Sequence, residues 1–113
     1  MVPRRLHKLP EHTGLGGMRV FTACSFGARL LGLALLDDLP SGCALLIPAC
    51  ASVHTFGMRF PLDIAFLDPS GRVVRIERDV PRGRLVRCRG AAAVMERRSV
   101  PSGATPSLPA ARA

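Results

Sequence analysis

Cys50 and His54 stand four residues apart, and Arg59 and Asp63 repeat the interval nine residues later. On a helix, that spacing puts both side chains on one face, where a thiol and an imidazole can form a nucleophile–base pair or share a metal. On a strand the same interval spans about 13 Å and serves neither purpose. The local structure around residue 52 therefore decides between the two. Arg59 and Asp63 flank Pro61, and a bend there would bring guanidinium and carboxylate into a bidentate pair. Such a pair either ties the bend together or leaves Arg59 as an anion site oriented by Asp63. His54 falls in register with apolar neighbours, so it is either a hydrogen-bonded core or rim histidine or a ligand contact able to carry a proton, its ordinary pKa being about 6.5.

Other chemistry finds little support. Cys24, Cys43, Cys50 and Cys88 are spaced by 19, 7 and 38 positions, which matches no paired-ligand zinc pattern, and free, mostly buried thiols are expected. No convincing Ser/His/Asp spacing or pair of acids appears. The glycines of Gly14–Gly17 have neither a lysine after them nor a strand before them to make a phosphate loop. No catalytic residue, metal or cofactor is assigned. The candidate ligand-binding residues are His54, Arg59 and Asp63.

Charge suggests a different class of partner. The 113-residue chain carries a formal net charge of +8, and of its 16 basic residues only Lys8 is a lysine. Nine arginines lie between Arg72 and Arg98 against Glu77, Asp79 and Glu96. Such a stretch can track phosphates by releasing counterions. It contains no aromatic residue on which bases would stack, which disfavours a nucleic-acid binder. The strongly apolar run Leu30–Leu36 ends at Asp37 after seven residues, against the ~20 that a membrane-spanning helix needs. No apolar segment follows the basic start before Glu11, so no secretory signal is expected and the cytoplasm is the expected compartment.

The elements that must position these residues are short. Residues 1–17 show neither helical nor strand period and suggest a flexible arm; 100–113, with three prolines, suggest a disordered tail. A single domain is expected over 18–99. Met18–Ala23 alternates as an opening strand, Ser25 caps a short helix carrying Phe26, Leu30 and Leu33, and Cys43–Ile47 makes a buried strand. From Phe56 to Phe66 apolar residues occupy every even position, which predicts one extended core-lining segment bent at Pro61. Asp68-Pro69-Ser70-Gly71 predicts a three-residue hairpin loop with a bulge, pairing Phe66 with Val74 and Ile64 with Ile76 and keeping one apolar face continuous around the tip. That register sets Asp63 opposite Glu77, with Arg75 near enough to relieve the like charges. Leu85–Cys88 predicts a return strand, while Ala91–Arg98 fits helix or strand.

Leu45-Leu46-Ile47-Pro48 with Cys50, then SVHTFGMRFPLDIAFLDPSGRVVRI, then VRCRGAAAVMER, resemble the domain of unknown function 192 family of bacterial and archaeal proteins over about residues 20–97. The resemblance puts His54, Phe56, Met58, Arg59, Pro61, Asp63, Asp68 and Gly71 at signature positions of that family, in its subgroup without export signals. It implies a mainly β (α+β) domain, a small curved sheet or partial barrel with one or two short helices, of no established biochemical role. Family members continue past Val94-Met95-Glu96 into an Ala-Gly segment and a last strand, where this chain has Arg97-Arg98-Ser99-Val100-Pro101. Loss of that strand would open a sheet edge to a second copy and make a homo-oligomer.

The expected function is a non-enzymatic binding or interaction module that presents His54, Arg59 and Asp63 to a small anionic ligand or a protein partner. A small enzyme using Cys50 or His54 and an arginine-rich nucleic-acid binder are the alternatives.

Overall fold

The structure, a computed structural model, describes residues 2–100; the expected tail lies outside them except for Val100. Among the described residues the chain forms eight strands: β1 (Glu11–Thr13), β2 (Arg19–Thr22), β3 (Cys43–Pro48), β4 (Ser52–His54), β5 (Leu62–Leu67), β6 (Val73–Val80), β7 (Leu85–Arg87) and β8 (Ala93–Arg98), with one short helix, α1 (Phe26–Leu31). Six strands make a mixed sheet in the order β1-β2-β3-β8-β5-β6; β4 and β7 pair separately as a ribbon. The fold is mainly β, as expected, and no closed barrel forms among the described residues.

Two apolar clusters lie on opposite faces of the sheet. The larger gathers Phe21, Leu45, Ile47, Ile64, Phe66 and Val94 under a cover of Leu33, Leu36, Leu39, Met58 and Phe60. The smaller holds Val20, Ala44, Ala65 and Met95, with Val73 and Ile76 at its margin. Strands buried on both faces lose the alternation that marks a half-exposed strand. All six residues of β5 are accordingly buried. The Ala91–Arg98 ambiguity resolves as β8, which lies between β3 and β5 with both of its edges paired.

The local signals account for the cover. The Ser25 side chain accepts a hydrogen bond from the Ala28 N–H at 3.1 Å, capping α1 as expected. The helix ends at Gly32, whose φ of 56° and ψ of −130° are open to glycine and strained for other residues. Residues 2–17, read as an arm, pack down: Leu6 is fully buried, β1 pairs with β2, and the Arg5 guanidinium donates to Gly32 O and Ala34 O.

Three expectations are corrected. The strand predicted from Phe56 begins only at Leu62; residues 55–61 form a loop in which Gly57 has φ 76° and Phe56 points into solvent. Pro61 has no N–H for a ladder, and Thr55, fully buried, clamps the loop by donating to Pro81 O and accepting from Arg84 N–H. The hairpin tip closes as predicted, with Asp68 N–H donating to Arg72 O. Beyond it a bulge leaves Val74 unpaired, so that Ile64 faces Glu77 and Ala65 faces Ile76. A one-residue slip exchanges the faces of a strand. Ile64 and Ile76 consequently serve opposite apolar clusters, and the continuous apolar flank around the tip is absent. Finally, Arg97 and Arg98 do not replace a lost last strand: they belong to β8, which is paired on both edges. The free edges belong to β1 and β6, and β6 carries Arg75, Glu77, Arg78 and a bulge, features that resist strand addition.

Candidate functional site

The three candidate residues occupy three different environments. Asp63 is 2% exposed on β5, directly opposite Arg97 of β8, itself 5% exposed. Its carboxylate takes Arg97 Nη2 at 3.4 Å, Arg78 Nη1 at 3.7 Å and the Asp79 backbone N–H at 2.9 Å. Asp79 has φ 53°, a conformation that aspartate tolerates, and it turns its N–H to Asp63 where the ladder slips. This cluster holds β5, β6 and β8 together. The predicted Arg59–Asp63 pair does not form, because the loop carries Arg59 to Asp37 instead. Arg59 is exposed and already neutralised, in a shallow hollow with Met58, Pro61 and Arg82.

His54 is the candidate that lies in a cleft. Its Nε2 donates to Leu30 O at 2.9 Å, and its Nδ1 accepts from the Phe56 N–H at 3.1 Å. That pattern requires the Nε2–H tautomer. Both ring nitrogens are engaged by backbone, and the Cys50 thiol donates to Ser52 O. The strand alternative at Ser52–His54 holds, and the thiol–imidazole pair is not made. Among the described residues no three His, Cys, Asp or Glu side chains gather as metal ligands.

The cleft, about 210 Å³, lies between α1 and the ribbon, with Leu30, Leu31, Ile47, Val53 and Leu85 as walls and Ser52, His54 and Arg29 at polar points. Its floor is Glu96, which sequence reasoning missed. Glu96 shares parity with Val94 on β8 and sits between Leu45 and Ile64, its two cross-strand neighbours, both buried. It is 1% exposed, and its Oε1 has no hydrogen-bond partner. Burial among these apolar neighbours pushes its pKa up to about 8, outweighing the opposite effect of the Leu33 backbone N–H bonded to the carboxyl. Glu96 is therefore mostly a neutral acid at pH 7. An acid in register with the core residue Val94 was the available signal, usable only once Ala91–Arg98 was known to be a strand.

Four of the exposed large apolar side chains among the described residues lie about His54 and the loop that follows it. Leu30 supplies the carbonyl that holds His54, Phe56 stacks on the His54 ring at 5.7 Å, and Leu85, 61% exposed, is the cross-strand partner of His54. Leu35 joins them through its N–H to Gly57 O. Arg87 stands two residues from Leu85 on the same ribbon face, opposite Ser52, and Arg29 borders the cleft.

A mixed six-stranded sheet with one short α-helix and a separate two-stranded ribbon beside an open cleft defines a small, mainly β domain. The chain belongs to the domain of unknown function 192 family, DUF192, described as "Uncharacterized ACR", whose family model matches residues 9–106. A crystal structure of a protein of unknown function from Novosphingobium aromaticivorans shares the fold at a TM-score of 0.65 and 15% identity, covering 88% of each chain. One of a candidate transcription regulator from Sinorhizobium meliloti does so at a TM-score of 0.67 and 17% identity, covering 79% of this chain and 78% of the other. No curated protein matches. At these identities the likeness is one of fold.

Proposed function

We propose that the chain is a non-enzymatic binding module of the cytoplasm whose recognition face is the apolar patch around His54, and that its partner is an acidic protein segment with bulky apolar anchors. The observation that carries this reading is the grouping of Leu30, Phe56 and Leu85 about one histidine, exposed together at the mouth of a cleft. Contiguous exposed apolar side chains with a polar rim are the usual form of a protein-binding surface. The rim favours an acidic partner: Arg87 and Arg29 border the patch, Ser52 and His54 complete the ribbon face, and the whole chain is strongly basic. His54 contributes by fixing the Leu30 carbonyl and backing Phe56. Asp63 contributes from within the sheet, and Arg59 from the flank.

Panning a randomised peptide library on the full chain tests this. The expected result is enrichment of acidic peptides bearing at least one large apolar residue, lost by tenfold or more in Leu85→Asp. Leu85 is exposed, so that variant keeps the fold. Failure to enrich any acidic class overturns the proposal. So does binding of duplex DNA that falls steeply with salt, vanishes on neutralising Arg82, Arg84 and Arg87, and ignores Leu85→Asp.

A further inference from the structure

The unpartnered oxygen at the floor of the cleft selects for a particular chemistry. One end of the Glu96 carboxyl is satisfied by the Leu33 N–H, while Oε1, buried beside Gly32 in the lining of the cleft, has no partner. A buried polar group without a partner is costly, and a ligand that supplies one recovers that cost. A neutral acid whose carbonyl oxygen already accepts a hydrogen bond carries its proton on the other oxygen, so the open position offers an O–H donor.

The surroundings choose among ligands able to use it. The walls are aliphatic, which disfavours any charged group. One cation already borders the cleft, Arg29 of α1, while Arg5 bonds the Gly32 carbonyl from outside the cleft. His54 on β4 is the other titratable group at the cleft, and β3 and β5 present Leu45 and Ile64 to Glu96. A ligand ammonium would meet the Arg29 guanidinium at the border of the cleft on its way to the acid. At about 210 Å³ the cleft has room for about seven water-sized groups.

We propose that the cleft over Glu96 is a subsite for an uncharged carboxamide on a short apolar stem, its carbonyl oxygen accepting the Glu96 O–H. The proposal deepens the recognition face described above and rests on that reading. The carboxamide belongs either to a free small molecule or to an asparagine or glutamine side chain of the docked segment.

Isobutyramide, isobutylamine and isobutyrate are the probes, titrated into the ¹⁵N-labelled full chain with the Leu33 amide as reporter. At pH 7 isobutyramide moves the Leu33 resonance saturably, and the amine and the acid bind at least tenfold more weakly. The amide's affinity falls about tenfold for each pH unit above 8, as Glu96 ionises. Glu96→Gln keeps a donor and an acceptor in the same shape, so it still binds isobutyramide with the pH dependence removed. Preference for isobutylamine, affinity that climbs above pH 8, or an unchanged pH profile in Glu96→Gln overturns the proposal. If no probe binds but library peptides still bind in a Leu85-dependent manner, the subsite falls and the recognition face stands. Library peptides that carry an essential Asn or Gln, lost with Glu96→Leu but kept with Glu96→Gln, assign the carboxamide to the docked segment; binding of isobutyramide without such selection assigns it to a free molecule.

Discussion

Gly32 lies so close to Glu96 that a Cβ at position 32 would stand 3.0 Å from Oε1. The carboxyl is itself buried, with Leu45 and Ile64 as its cross-strand neighbours, so moving it aside means repacking against them. The end of α1 and the floor of the cleft are thus one unit, in which the missing side chain lets the Leu33 N–H reach the acid. Gly32→Ala combines this contact with a backbone conformation that alanine adopts only under strain. It is expected to cost about 3 kcal/mol or more. Urea denaturation measures the loss, and adding Glu96→Ala should recover only the contact part of it, so the two changes will not add.

Glu96 makes stability depend on pH in a direction opposite to most carboxyls. Its pKa is raised in the folded chain to about 8 from an ordinary 4.5. Between those values the unfolded chain has released the proton and the folded chain keeps it. Stability is therefore fullest below about pH 4.5 as far as this group is concerned, falls as pH rises toward 8, and levels off above it. A tenfold change in proton affinity on folding is equivalent to about 1.4 kcal/mol, so the total is several kcal/mol. Glu96→Gln should abolish this slope, leaving a variant more stable than the parent at pH 8.5. Melting curves from pH 5 to 9 decide it; equal slopes in both chains would remove Glu96 as the cause.

The buried pair of Asp63 and Arg97 predicts an asymmetry between removing one charge and removing both. Asp63→Ala takes away the carboxylate that faces the buried Arg97 guanidinium and the acceptor of the Asp79 N–H. A loss of about 3 to 5 kcal/mol is expected. Replacing both by apolar residues of similar volume, Asp63→Leu with Arg97→Met, should cost markedly less than the single change. Denaturation of the two variants side by side checks this, and a double variant as unstable as the single one would refute the account.

The sequence disclosed what depends on short range and hid what depends on pairing. Ser25 caps α1 and Asp68 seats its hairpin tip through contacts within four residues, accepting from the Ser70 and Arg72 N–H groups at 2.9 Å, which is why both were legible. The face of β6 was not legible, because a single unpaired residue, Val74, reverses it, and no local signal requires a bulge there. Of the site, His54 was found by its register with apolar neighbours. Glu96 was not, since its meaning depends on β8 lying between β3 and β5, a pairing of segments about 50 and 30 residues away. Arg59 and Asp63 looked like partners along the chain, but the loop at Gly57–Pro61 sends them to Asp37 and Arg97.

Thr55 joins the recognition face to the core, and its hydroxyl can be tested without changing shape. It donates to Pro81 O at 2.7 Å and accepts from the Arg84 N–H at 2.8 Å, while its own N–H reaches Arg84 O. The loop bearing Phe56 and the start of β7 bearing Leu85 are therefore held by one buried side chain. Thr55→Val keeps the volume and deletes both side-chain bonds, leaving the Pro81 carbonyl and the Arg84 N–H to find other partners. Each lost hydrogen bond costs about 1 kcal/mol, whereas Thr55→Ser, which keeps the hydroxyl, should lose far less. Urea midpoints rank the three chains, and hydrogen exchange at the Arg84 amide locates the effect. Protection at Arg84 that survives in Thr55→Val would show that the hydroxyl does not hold the face in place.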